Sequence, residues 1–195
     1  MNIFKKWYLK QVARHNVQVL KRIINLPPDT VVELTRDENA LLSKVIKSVQ
    51  ASQFITRNGR IVYTLPSTET VTLWNLLEAR RAETATASIE AWTGDQYSPD
   101  TVLDAVKASK YINEQLEMAD QLERYLFQSN GGASDENDQI KQAKNLLSIV
   151  QLTAELFHCS FEEAKQMNYS DAILAISKRN EEIEKEKQQL KNARQ

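Results

Sequence analysis

The chain is short of the residues that interrupt or lock a fold: among 195 residues there are four glycines, four prolines and one cysteine. The lone Cys159 excludes an internal disulfide framework and makes a reducing, cytosolic setting the default. So small a supply of turn formers excludes a many-stranded β fold, which needs a turn about every 8 to 12 residues. With 26% charged residues it favours long helices instead. The glycines Gly59, Gly94, Gly131 and Gly132 form no strand-turn-helix phosphate loop, so nucleotide-driven chemistry is not expected. No apolar run approaches the roughly 18 residues of a spanning helix, and no apolar core follows the early lysines. Neither a transmembrane segment nor a signal peptide is therefore expected.

Metal and catalytic sets are equally thin. A structural zinc site wants four ligands, and Cys and His supply only His15, His158 and Cys159. Adjacent side chains such as His158 and Cys159 seldom face one another, and no orienting acid is evident, so Cys159 is read as structural. Asp135, Glu136 and Asp138 lack the spacing, turn glycine and distal glutamate of a calcium loop. The pairs Glu162-Glu163 and Glu181-Glu182 are explained by capping and solvation. No catalytic residue, cofactor or metal is assigned, and the chain is read as a non-enzyme.

What is present is helical patterning on a chain with 42% apolar residues, enough for a real core. The net charge of −1 is unevenly placed. Residues 1–28 hold Lys5, Lys6, Lys10, Arg14, Lys21 and Arg22 and no acid, a formal +6, so the rest sums to −7. Phe4, Tyr8, Val12, Val19 and Ile23 lie between these charges at near-helical spacing, ending at Pro27-Pro28. A basic amphipathic helix can bind anionic lipid, nucleic acid or an acidic protein face. Packing of its apolar side on the body is preferred to those roles, and six charges without a structured basic groove do not make a specific nucleic-acid site.

The pattern along the chain predicts a mainly α fold: a long helical hairpin with one β-hairpin, plus a small C-terminal helical module. Thr35-x-x-Glu38 is a capping box opening a helix near 36–51. Phe54 to Leu65 has apolar and β-branched residues on both sides of Asn58-Gly59, the pair suited to a type I′ turn, which predicts a β-hairpin near 53–65 packed on the chain's own helices. A helix from Thr68 to about Trp92 and another to about Gln128, capped by Ser98 before Pro99, should form an antiparallel pair. Ser129 to Asp138, with two glycines and three acids, reads as a flexible linker. It divides a body, 1–128, from a C-terminal module, 139–195, with a charged tail.

That module carries the functional reading. Leu146 to Phe157 is almost wholly apolar, and its Leu146, Leu147, Ile149, Val150, Leu152, Leu156 and Phe157 cover more of the helix than two short neighbours can bury. A Ser160-x-x-Glu163 capping box follows, then a last helix from Ser170 to about Asn192. There Ile173, Asn180 and Lys187 fall at a positions and Ile176, Ile183 and Leu190 at d positions of a short heptad seam. Leu146, Ile149, Val150, Leu156, Phe157, Ile173, Ile176, Asn180, Ile183 and Leu190 are the candidate partner-binding residues, with self-association expected.

The stretch from Leu152 through Phe157-His158-Cys159-Ser160-x-Glu162-Glu163 and Met167-Asn168-Tyr169 to Ile176 resembles the small helical module of bacteriophage tail assembly chaperones. In that family a Phe-Gly-like step precedes Ser/Thr-x-Glu-Glu, and His158-Cys159 stands here where glycine is frequent. The resemblance implies a phage or prophage morphogenesis protein that binds tape measure, tail or neck proteins through apolar helices, in the host cytoplasm or within the virion. The alternatives are a structural component of the neck, connector or tail, and a bacterial adaptor at membrane surfaces using the basic N-terminal helix.

Overall fold

A computed structural model describes residues 3–28, 34–127 and 138–192, with the side chains of 3–10, 127, 138–146 and 191 outside that description. The fold is mainly α with one two-stranded antiparallel hairpin. In chain order it runs α1 (Ile3–Ile23), α2 (Arg36–Ser48), β1 (Phe54–Arg57), β2 (Arg60–Thr64), α3 (Leu73–Arg81), α4 (Ala85–Thr93), α5 (Val102–Phe127), α6 (Asp138–Phe157), α7 (Phe161–Gln166) and α8 (Tyr169–Asn192). Among the described residues no helix is long and apolar enough to cross a membrane.

The local signals act where the sequence puts them. Thr35 and Glu38 form a complete capping box at α2. Asn58 and Gly59 both take positive φ, 50° and 75°, which sets the hairpin turn. The pairing slips between Ile55↔Tyr63 and Thr56↔Ile61, so Val62 is the extra residue of a bulge. Ile55 consequently enters the core while Ile61 and Val62 both face outward.

Two helix starts differ from expectation. The helix expected from Thr68 to Trp92 is two helices, because the Thr84 hydroxyl accepts from Ala87 N at 3.1 Å and opens α4 as a new helix, while Ala82 is extended. The hydroxyl of Ser98 does not cap α5; it donates to Glu90 at 2.8 Å. Thr101 does the capping, accepting from Asp104 N at 3.2 Å. The amides of Val102 and Leu103 are satisfied by the carbonyls of Leu26 and Ile24, at 2.8 and 3.1 Å, so the turn after α1 closes the start of α5.

One main core joins the hairpin, α3, α4, α5 and the C-terminal helices. It includes Ile55, Leu65, Leu73, Leu76, Ile89, Trp92 and Ile112 together with Val150, Ala164, Tyr169, Ala172 and Ile173. The stretch from α6 to α8 therefore shares the body's core and is not a separately packed unit. Residues 129–137 of the expected linker lie outside the described residues. A second, small cluster of Ile23, Leu42 and Val102 holds α1 and α2.

Candidate protein-binding face on α6 and α8

The C-terminal helices are fixed to the body by backbone before any side chain acts. Leu73 N donates to Met167 O at 2.7 Å and Tyr169 N to Val71 O at 3.0 Å, around an isolated antiparallel bridge between Thr72 and Asn168. Tyr169 then reaches into the core. Its hydroxyl donates to Glu123 Oε1 at 2.8 Å and lies 3.2 Å from the Ala119 carbonyl. Arg80 holds the same Glu123 carboxylate at 2.9 Å and Asp120 at 2.6 Å. Burial, and then the Glu123 charge, push the Tyr169 phenol well above its ordinary range, so it stays a donor. No sequence pattern marks this network, since Tyr169 and Glu123 are 46 residues apart in the chain and Arg80 and Glu123 are 43.

The α6-to-α7 step is also closed by backbone. His158 takes φ 50°, with Cys159 N donating to Ala154 O at 3.0 Å and His158 N lying 3.4 Å from Glu155 O. This is a Schellman ending, which favours glycine at the left-handed position. Ser160 and Glu163 then form the complete capping box of α7. Contacts with Ser160 hold the Glu163 carboxyl below the usual carboxylate range, the backbone hydrogen bond first and the hydroxyl second. Lys165 lies over the rings of Trp74, at 4.3 Å, and Phe161, at 5.0 Å, tying α7 to α3.

With its C-terminal end held, α6 lies beside α8 and leaves an open cleft of about 570 Å³ between them. Leu152, Glu155, Leu156 and His158 form one wall; Ile176, Arg179, Asn180 and Ile183 form the other. Leu152, in the cleft wall, is 44% exposed, and Phe157 and Leu174 are exposed elsewhere on the same two helices.

The ten expected partner residues are placed differently. Val150 and Ile173 are fully buried in the main core and Ile149 packs against it, so these three hold the fold, while Ile176 is nearly fully buried and also forms part of the cleft wall. Leu156, Asn180 and Ile183 meet in the cleft, Phe157 and Leu190 are exposed, and the Leu146 side chain lies outside the described residues. Leu152, one of the apolar residues of the run 146–157, lines the cleft, and Leu174 is an exposed apolar residue outside the expected set.

A polar cluster elsewhere has a structural task. Tyr63 stacks on Tyr97 with centroids 4.7 Å apart, and Arg57 pairs with Asp100 and, at 4.0 Å, with the buried Asp104. These contacts pin the hairpin to α5. Burial first, and then the Asp104 charge, push the Tyr97 phenol up to about 12.

Among the described residues no three His, Cys, Asp or Glu side chains gather as a metal-binding group. No protein-family model, curated protein or solved structure matches this chain.

Proposed function

We propose that the protein is a non-enzymatic assembly factor that binds an apolar helix of another protein along the α6–α8 face, in phage or prophage morphogenesis and in the manner of a tail assembly chaperone. The observation that carries this reading is the open cleft with Leu152 and Leu156 on one wall and Ile176 and Ile183 on the other. A groove of apolar side chains between two helices is the shape that takes the apolar stripe of a third. The resemblance of residues 152–176 to tail assembly chaperones supplies the process. The glycine missing at 158 is not an obstacle, because His158 adopts the left-handed backbone that glycine takes most readily.

Co-expression with the tape measure protein of its own genome tests the reading. The expected result is co-purification that falls at least about tenfold in Leu152→Lys/Leu156→Lys, where two apolar contacts are lost. Circular dichroism should show an unchanged helical content. Absence of co-purification, or recovery unaffected by the double substitution, overturns it.

A further inference from the structure

The first half of α8 is used up inside the chain and the second half is not. Ile173 and Ile176 are buried, whereas Leu190 is 61% exposed. Between them Asn180 and Ile183 sit half-buried at the edge of the cleft. The heptad spacing thus leaves two heptads uncommitted, with Asn180 and Lys187 at a and Ile183 and Leu190 at d. Beside that strip, Arg179 and Glu186 fall at g positions and Glu184 at an e position, and the sequence places lysine at the next e position, 191.

We propose that this distal stretch of α8 pairs, parallel and in register, with α8 of a second copy of the chain. In a parallel two-stranded coil each g residue faces the e residue five positions later on the other helix. Here Arg179 faces Glu184 of the second copy, and position 186 faces position 191, glutamate against lysine in the sequence. Both contacts are opposite in sign and both occur twice by symmetry. At the a positions Asn180 meets its own counterpart, and two amides can hydrogen-bond to each other. Antiparallel packing would set Asn180 against the d residue Ile183 and leave the amide unpaired. Lys187 at a lies next to Glu186 of the second copy.

The ion pairs now made within the helix, Arg179 to Glu182 at 3.3 Å and Lys187 to Glu184 at 2.7 Å, are exposed and are exchanged at little cost. Two heptads are too short to pair firmly on their own in water. The fold supplies the remainder, because the start of α8 is fixed to the body by backbone hydrogen bonds and the two heptads are already helical before they meet. The inference rests on the α6–α8 face being an interface and assigns its distal end to a second copy.

Sedimentation equilibrium of the full chain tests this. A reversible dimer is expected, and Arg179→Glu or Glu184→Arg alone should weaken it about tenfold, or about 1.4 kcal/mol. Mixing the two variants should restore wild-type affinity as a heterodimer, because each mixed 179–184 contact is again opposite in sign. Circular dichroism checks that both variants keep their helix. Asn180→Cys, in a Cys159→Ala background, should oxidise to a covalent dimer, as parallel in-register packing requires. A monomer at about 10⁻⁴ M, a mixture that associates no better than its components, or no Asn180→Cys cross-link overturns the proposal. Capture of the tape measure protein and its loss in Leu152→Lys/Leu156→Lys remain separately measurable, so failure here is distinguishable from failure of the broader reading.

Discussion

The two apolar clusters are built from the same side-chain types but are held in different ways. The main core draws on the hairpin and on every helix from α3 to α8, so Leu76 and Trp92 meet neighbours far away in sequence. The front cluster has three buried residues, Ile23, Leu42 and Val102, with Val19, Leu26, Leu34 and Val106 partly buried around them. It is backed by the two backbone hydrogen bonds from the start of α5 and by the exposed Arg22–Glu38 pair. Farther up α1, Val12 and Val17 are exposed. Burial of a comparable side chain therefore has different reach in the two places: global in one, local in the other.

The largest expected effect breaks this comparison directly. Leu76→Ala should cost about 2 to 5 kcal/mol, in the range of large-to-small core substitutions, and lower the unfolding transition of the whole chain. Ile23→Ala removes a side chain that is also fully buried. Its effect should appear as faster amide exchange in α1 and α2 with the main transition little moved. A thermal melt combined with hydrogen exchange distinguishes the two outcomes. If Ile23→Ala lowers the main transition as far as Leu76→Ala does, the front cluster belongs to the same cooperative unit.

The next effect concerns what joins the C-terminal helices to the main core. Tyr169→Phe keeps the ring but loses the hydroxyl's contact with the Glu123 carboxylate. It should cost about 2 kcal/mol, the scale of a hydrogen bond to a charged group. The sign with pH follows from the raised pKa. A phenol whose folded pKa lies above its ordinary value of 10.0 stabilises the fold fully below that value and loses its contribution as pH rises beyond it. Tyr97 acts in the same direction. Wild-type stability should thus fall above about pH 10, and Tyr169→Phe should flatten that fall in denaturant titrations.

How far these features were legible in the sequence depends on the distance over which each is determined. Asn58-Gly59, Thr35-x-x-Glu38 and Ser160-x-x-Glu163 act within a few residues, and their turn and caps form as the pattern implies. Thr84 was hidden because Ala79, Ala82 and Ala85 on either side are good helix formers, while its cap lacks the glutamate that completes a box. Thr101 was overshadowed by the stronger Ser98-Pro99 pattern. Tyr169 was invisible because its partners are on α5. For the candidate face the difficulty was degeneracy, since one apolar period serves a core stripe and a coiled-coil seam equally well. Only packing shows that Ile173 and Ile176 turn inward while Leu190 does not.

The smallest effect belongs to the exposed cap of α7, a helix of six residues whose main buried residue is Ala164. Ser160→Ala removes the hydroxyl that lies 3.2 Å from Glu163 N and 2.7 Å from the Glu163 carboxylate. The loss should be about 1 kcal/mol, typical of an N-cap serine. Unlike the Tyr169 contact, this one weakens in acid. Glu163 has a depressed folded pKa, so its half of the box stabilises the fold above the ordinary glutamate value and loses that contribution as pH falls through the folded value. The difference between wild type and Ser160→Ala should therefore be widest near neutrality and shrink in acid as the carboxylate takes up a proton. Denaturant titrations of both proteins across that range check it. A difference independent of pH would mean that the hydroxyl acts on the Glu163 amide alone, with the carboxylate bound only to the Ser160 backbone.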